Sequence, residues 1–470
     1  MAFNAVKIEE KSEIQSGQKL CQQTQNVRTD RYTLATALRV VRRMEASATR
    51  GAVFDEIKAK NSIYRLVDRL YQFSNTSILK PLFLFVYMLK CVVCAGPSSV
   101  NGSGSEDAVA VAVSQFPNEH RTIERVMDLV PHIGLIRVTP SLRRMLSFEQ
   151  WRATLVLLVA ARRIFPFLKV IARSHSFMPS ARIASALAFY VRFSRLFIER
   201  PAVGAAIIAS NYSPEAVGMA AAAHSNDRRV IYANHAPVPA NAVFIPPVLA
   251  DCALVYGETI AQTYYRFSRC HAELAYVGQP GMSRPMQWSN DVNTIGIFLT
   301  AGTRADVLQS LIASIRLSLP SARIIIRQHP VGLLKTDFSG MGLNDLSVEL
   351  TFGKALDAEI AECDLVICGN SGVALNVLSE GRPVAYLPSL DDAKFDTLGF
   401  VQNRLVYAMP WWTDDLFARL KAFYQISGWQ DVMRSYDAAY LADRVSLNNS
   451  ARTILLRYLS SAPASSASIL

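Results

Sequence analysis

The sequence predicts an α/β protein: two units built on parallel sheets, preceded by a helical N-terminal extension. Three observations predict it. Short runs of Val, Ile, Leu and Ala alternate with helix-length segments from about residue 106 to 390, and strands joined by helices lie parallel in one sheet. Many of those runs stop at small, polar or cationic residues, and an open parallel sheet presents its ligand-binding turns there, at the strand carboxyl ends. The 470 residues exceed one core and suit two or three domains.

Composition narrows the class. With 51% hydrophobic and 19% charged residues the chain is globular, far from the disordered class. Seven scattered cysteines make no disulfide framework and indicate a reducing compartment. Cys91 and Cys94 have redox or metal spacing, but they sit in an apolar run with no second pair, so packing is the better reading. Glu9, Glu10 and Glu13 stand where a signal peptide needs an apolar core. The greasiest run, Pro81 to Gly96, is interrupted by Lys90 and falls short of the roughly 20 residues that span a bilayer. A cytoplasmic protein is expected, peripheral on the inner face of the membrane. The net charge of +11 is uneven: residues 137–200 hold twelve Arg and Lys against Glu149 and Glu199. Interleaved with large apolar residues, this basic 137–200 block suits anionic headgroups. No zinc, helix-turn-helix or RNA-platform pattern accompanies it, so nucleic acid is not an expected partner.

In order, residues 1–100 form the extension, with an amphipathic helix over Val53 to Phe73. Gly96 to Ser105, rich in Gly and Ser, reads as a linker. The first α/β domain spans 106–285, with strands at Ala108–Val113, Ile133–Val138, Val203–Ala209, Arg229–Tyr232, Cys252–Tyr256 and Leu274–Val277, and a basic helical insertion over 140–200. Its helix over Glu215–His224 has Ser213 as N-cap and Pro214 in the first turn. The second domain, 290–460, has strands at Thr294–Leu299, Ala322–Arg327, Leu346–Phe352, Leu365–Cys368 and Val384–Leu387, and ends in helices over about 412–427 and 430–459. A disordered tail over 461–470 closes the chain.

Two turns stand out: Arg327-Gln328-His329-Pro330 after one strand, and Gly369-Asn370-Ser371-Gly372-Val373 after another. With Gly381-Arg382-Pro383-Val384 they make a set that resembles GT-B glycosyltransferases of bacterial surface polysaccharide assembly, namely the sialyl- and Kdo-type and CDP-polyol transferases of capsule, lipopolysaccharide and teichoic acid. Asn211 to Ala216, His235 to Pro237, Tyr256 to Glu258 and Val277 to Pro280 extend the likeness, which covers about 200 to 390; Ala236 stands where relatives often carry glycine. The resemblance implies two facing Rossmann-like domains, a nucleotide-sugar donor on the second and a saccharide or lipid-linked acceptor on the first. It implies an inverting, metal-independent transferase. CMP-keto-sugars are favoured as donor, then UDP- or GDP-sugars, then a CDP-polyol. No cofactor is called for, since the nucleotide-sugar is a substrate.

Each residue then has an expected role. Asn370, Ser371, Gly372 and Val373 open a helix whose N-terminal N–H groups suit a phosphate. Arg327, His329, Pro330 and the loop holding Gly302 and Thr303 would steady charge on the leaving group. Glu380 would accept ribose hydroxyls. The general base is His235 or Glu215, both at strand ends of the first domain; Glu119, His120 and Glu258 are weaker candidates. The sequence lacks the P-loop, the first-strand G-x-G-x-x-G and the G-x-S-x-G elbow, and its seven histidines are isolated, so no metal site is expected. Two alternatives stay open: a UDP-sugar 2-epimerase, which needs paired carboxylates across the cleft, and a non-catalytic assembly or regulatory protein of the same fold.

Overall fold

The computed structural model describes residues 31–47, 54–55, 58–59, 61–101, 108–140, 148–237, 244–300, 302–328, 348–351, 353–391 and 396–460. Tyr32–Leu470 forms one compact unit. His329, Pro330, Ala301 and the 461–470 tail lie outside the described residues.

The first sheet has seven strands: β1 (Pro97–Asn101), β2 (Ala108–Val113), β3 (Gly134–Val138), β4 (Ala205–Ile208), β5 (Arg229–Ala233), β6 (Cys252–Val255) and β7 (Glu273–Tyr276). They are ordered β1-β3-β2-β4-β5-β6-β7, all parallel except β1, which runs antiparallel to β3. The stretch expected as a linker thus contains an edge strand. Pro97 is tolerated because it opens that strand at the edge, where a missing N–H costs little.

The second sheet has six: β8 (Thr294–Phe298), β9 (Arg323–Arg327), β10 (Val348–Thr351), β11 (Leu365–Cys368), β12 (Val384–Tyr386) and β13 (Tyr407–Ala408). All pairs are parallel, in the order β10-β9-β8-β11-β12-β13. Counted from β8 this is the doubly wound Rossmann order, with its switch point between β8 and β11. The first sheet likewise reverses direction between β2 and β4. The chain is therefore an α/β protein of two Rossmann-like domains in the GT-B arrangement, with helices before the first.

The extension supplies α1 (Leu34–Glu45), α2 (Ser62–Phe73) and α3 (Leu79–Cys94); the insertion between β3 and β4 supplies α5 (Phe148–Ser174) and α6 (Phe177–Glu199). Helices α1 and α6 pack on α7 (Pro214–Ser225), an alanine-rich helix buried all round, as its lack of a polar face requires, and α2, α3 and α5 pack against α6. Helix α6 lies close on α7: a Cβ at Gly218 would sit 2.7 Å from the Ala186 carbonyl oxygen. On the sheet's other face, α4 (Pro117–Leu129) and the last helix, α14 (Arg444–Ser460), close a second core through Ile123, Val126, Leu455 and Leu459.

Helix α14 corrects two expectations. The helix expected over 430–459 is broken: α13 (Trp429–Tyr436) stops, and α14 starts at Arg444. Assigned by sequence to the second domain, α14 instead packs on the first, and Asp437, fully buried in the intervening turn, accepts from Gln279 N at 2.8 Å and Ala439 N at 3.0 Å.

Part of the basic insertion is not a free cationic surface. Arg192 is wholly buried and donates to the Ala95 carbonyl (3.2 Å). Arg182 pairs with buried Glu45 at 2.5 Å, and Arg152 and Arg195 share Glu199 at 3.3 and 3.1 Å. Much of the charge in α6 holds helices together.

Candidate active site

The carboxyl ends of both sheets meet at a cavity of about 210 Å³. From the first domain come His235 and its neighbours Asn234 and Pro237, the α4 residues Asn118, Arg121 and Arg125, and Gln279; from the second come Gly372, Asn376 and Leu356. The domains touch here: a Cβ on Gly372 would lie 3.0 Å from the Pro237 ring.

The His235 turn is built by Tyr232 and Asn234. Tyr232 ends in a buried hydroxyl pair with Tyr264 (2.8 Å), and Asn234 donates to the Ala236 carbonyl (2.9 Å) while its own N–H reaches Leu254 O (2.8 Å). Alanine fits at 236 because Asn234 sets the turn without a left-handed residue. His235 Nδ1 bonds the Ala209 carbonyl. A carbonyl only accepts, so Nδ1 carries the proton and Nε2 is left as an acceptor in the neutral ring. Burial pushes the His235 pKa below its usual value, outweighing the carbonyl bond that raises it. A neutral imidazole at the cavity wall follows.

Two amide atoms on this wall have no hydrogen-bond partner among the described residues, Asn234 Oδ1 and Gln279 Nε2, although buried polar groups are nearly always paired. Gln279 Oε1 accepts from Asn376 Nδ2 across the domains at 3.3 Å. Arg125 donates to the Gly278 and Val277 carbonyls and ties α4 to the end of β7. Arg121, one turn earlier and exposed, is the cation that can reach a ligand.

The other expected residues divide. Of the Ser371 turn, only Gly372 lines the cavity. Ser371 Oγ accepts from Val373 N (3.3 Å), and Asn370 is held by Asp391 at 2.5 Å and by Thr397 at 2.8 Å. The same buried Asp391 accepts from Thr300 Oγ1 at 2.6 Å, so one carboxylate staples the two loops that flank the β8/β11 switch point. It also explains Gly369, whose Cβ would fall 2.2 Å from an Asp391 oxygen. Thr303 bonds back to Thr300 on both sides, accepting at 3.0 Å and donating at 3.1 Å, so its hydroxyl shapes the loop; Gly302 faces open space.

Three assignments are corrected. Arg327 pairs through Nη1 with Glu359, whose carboxylate is fully buried, and donates to Lys354 O at 3.0 Å; a buried carboxylate needs its cation, and Arg327 does not line the cavity. Glu380 caps the far end of α11 (Val373–Ser379) and pairs with Arg284 at 3.7 Å. Asn376, four residues earlier, is the residue of that helix that lines the cavity with Gly372 at its start. Glu215 is buried under α3 and α6, away from the cavity, its carboxyl raised by burial and by Glu119 against the pull of Arg182. It is not positioned to meet an acceptor, which leaves His235.

The remaining motifs are structural. A Cβ on Gly257 would come 2.5 Å from Ser435 O, and one on Gly278 (φ +63) 2.2 Å from Ala439 Cβ, so both glycines admit the crossing chain around Asp437. Arg382 donates to Ala361 O at 2.7 Å. Among the described residues no cluster of His, Cys, Asp or Glu could hold a metal ion.

No protein-family model matches this chain, and no curated protein does. Solved structures match with low identity. MnaA of S. aureus in complex with UDP is 10% identical with a TM-score of 0.45, over 75% of this chain and 96% of that one. The UDP-GlcNAc 2-epimerase of Neisseria meningitidis bound to UDP-GlcNAc is 10% identical with a TM-score of 0.44, over 75% and 99%. The pneumococcal O-GlcNAc transferase GtfA in complex with UDP and GlcNAc is 11% identical with a TM-score of 0.31, over 55% of each.

Proposed function

We propose that the chain is a glycosyltransferase that moves a sugar from a nucleotide-activated donor to a saccharide or lipid-linked acceptor, in bacterial surface polysaccharide assembly at the inner face of the membrane. One observation carries the reading. A single cavity at the strand ends of both domains combines a neutral histidine, a free guanidinium and unpaired amide groups. His235 Nε2 takes the acceptor hydroxyl's proton as the new glycosidic bond forms. The bond to the leaving phosphate breaks on the opposite face of the sugar, which inverts the anomeric centre. Negative charge grows on that phosphate, against Arg121 and the Gly372 N–H at the start of α11. Asn234, Gln279 and Asn376 offer hydrogen bonds to sugar and ribose hydroxyls.

With Arg327 committed to Glu359, the ranking of CMP-keto-sugars over UDP- and GDP-sugars rests on the resemblance of the motifs alone. The 2-epimerase reading is less favoured, because no carboxylate is among the described residues of the cavity wall.

Titration calorimetry with CMP, CDP, UDP and GDP is the test. At least one should bind, and Asn376→Ala should weaken it. His235→Ala should bind the nucleotide as tightly as the wild type while losing donor turnover. If none of the four binds the wild type, the protein is a non-catalytic member of its architecture.

A further inference from the structure

Helix α2 is amphipathic, and its apolar side faces out. Ile63, Leu66, Leu70 and Phe73 recur at three- and four-residue spacing along one face. That face is open: Ile63 is 72% exposed and Phe73 90%. The residues turned inward are Asp68, paired with Lys58 at 3.1 Å, and Tyr71, packed on Phe83 of α3 and Phe177 of α6. Burial of an apolar stripe is what ordinarily fixes a helix on a core, and here the polar side is fixed instead.

The neighbouring helices continue the pattern. The turn into α3 exposes Ile78 and Leu79, and the outer side of α3 exposes Leu82 and Val86. Helix α5, packed along α3, exposes Trp151, Leu155, Leu158 and Val159, the last at 86%. A turn further on its outer residues become Arg162, Arg163 and Arg173. Residues 61–94 and 150–174 together carry nine Arg and Lys, and their one carboxylate is the inward-facing Asp68.

We infer that the outer faces of α2, α3 and α5 form a docking surface for an anionic lipid bilayer, with α2 lying in the interface plane. Apolar side chains flanked by cations are what such a helix needs: the former enter the acyl boundary and the latter meet headgroup phosphates. A spanning mode is not the reading, since no described helix is long and apolar enough to cross a membrane. A second copy of this chain is the less suited occupant, because two such surfaces would bring cations against cations. This surface differs from the basic 137–200 block read from sequence. Helix α6 is internal, and most of the apolar contact comes from the extension. The inference goes beyond the proposed transferase activity and does not depend on it.

The test is flotation of the full chain with vesicles of equal parts phosphatidylglycerol and phosphatidylcholine, against phosphatidylcholine alone. The wild type should float with the anionic vesicles and be released by salt. The combined Ile63→Ser, Leu66→Ser, Leu70→Ser and Phe73→Ser variant removes only exposed side chains, so it should keep its circular dichroism. Its partitioning should fall by about tenfold or more. Arg162→Glu with Arg163→Glu should lower binding to anionic vesicles alone. Wild type that fails to float, or a four-serine variant that floats as well as wild type, overturns the inference. So does a concentration-dependent dimer in sedimentation that the four-serine variant abolishes, since a second copy would then cover the face.

Discussion

Replacing Arg327 by methionine separates its two possible roles. As a phosphate ligand at a strand end it would affect nucleotide affinity and leave the fold alone. The structure ties it instead to Oε2 of Glu359, whose carboxylate is fully buried and whose Oε1 has no hydrogen-bond partner among the described residues. Methionine fills much of the volume but leaves that charge uncompensated. Breaking a buried pair from one side costs about 3–5 kcal/mol. Arg327 keeps 18% of its side chain exposed, so the lower end, about 3 kcal/mol, is the better figure. In a domain of this size each kcal/mol moves the midpoint by roughly 2–4 °C, so calorimetry should show a fall of roughly 6–12 °C in the second domain's transition. Arg327→Met combined with Glu359→Met should recover most of it, because replacing both partners with apolar groups is often neutral. Nucleotide affinity measured below the transition should match the wild type. The reasoning fails if Arg327→Met melts like the wild type while nucleotide affinity drops by about tenfold or more.

His235→Gln should lower turnover by about 10²–10⁴ with nucleotide affinity unchanged. Because burial lowers the His235 pKa, the base stays neutral into more acidic solution, so the acid limb of kcat/KM should lie below the ordinary histidine value of about 6.5; a limb above it would refute the assignment. Gly278→Ala should destabilise by about 2 kcal/mol or more in a thermal melt, combining left-handed backbone with a clash against Ala439 and Asp437. Gly281→Ala, also left-handed (φ +99) but with nothing within 4 Å, should cost only about 1–2 kcal/mol; equal losses at the two positions would mean that the crossing chain is not closely packed. Glu215→Gln should leave turnover intact. The folded pKa of Glu215 is raised, so its contribution to stability is fully present below the unfolded value and is lost as pH rises through the folded one. The glutamine variant should therefore gain on the wild type in melts at pH 8 relative to pH 5, and no difference between the two would show that the folded pKa is not raised.

The two sheets were legible because parallel strands buried on both faces read as continuous apolar runs, and segments such as Ile324–Ile326 and Val366–Cys368 have no other stable use. The edge strand at Pro97–Asn101 was not. Its pairing with β3 is a tertiary event, and its Pro, Ser and Asn composition is that of a loop. The placement of α14 was hidden for a similar reason. A periodicity of 3.6 shows that a helix has an apolar side, and it is silent on which domain receives that side. Two glycines of the motifs that extend the likeness have a packing use that sequence does not show. Gly257 and Gly278 each make room for the chain that returns to the first domain.

The candidate site was half legible, and the dividing line follows charge. A strand end with a small or polar turn marks a crevice from sequence, which is how His235 and Gly372 were found on opposite walls of one cavity. Whether an ionisable side chain at such an end is available to a ligand depends on what else is buried nearby, and that is long-range information. Arg327 and Glu359 stand 32 residues apart, and Glu45, which engages Arg182 beside Glu215, stands 137 residues from its partner. Seen one at a time, each is an isolated charge in the sequence; seen together, they satisfy each other. The side chains that face the cavity without an ion-pair partner, Asn234, Gln279 and Asn376, are neutral amides, two of them with an unpartnered atom, and no charge-based reading selects them. Asn376 was within reach: it sits one helical turn after Gly372, so any ligand at the start of α11 has it as a neighbour. At this cleft, a ligand is better sought among the unpaired amides around His235 than among the conspicuous cations.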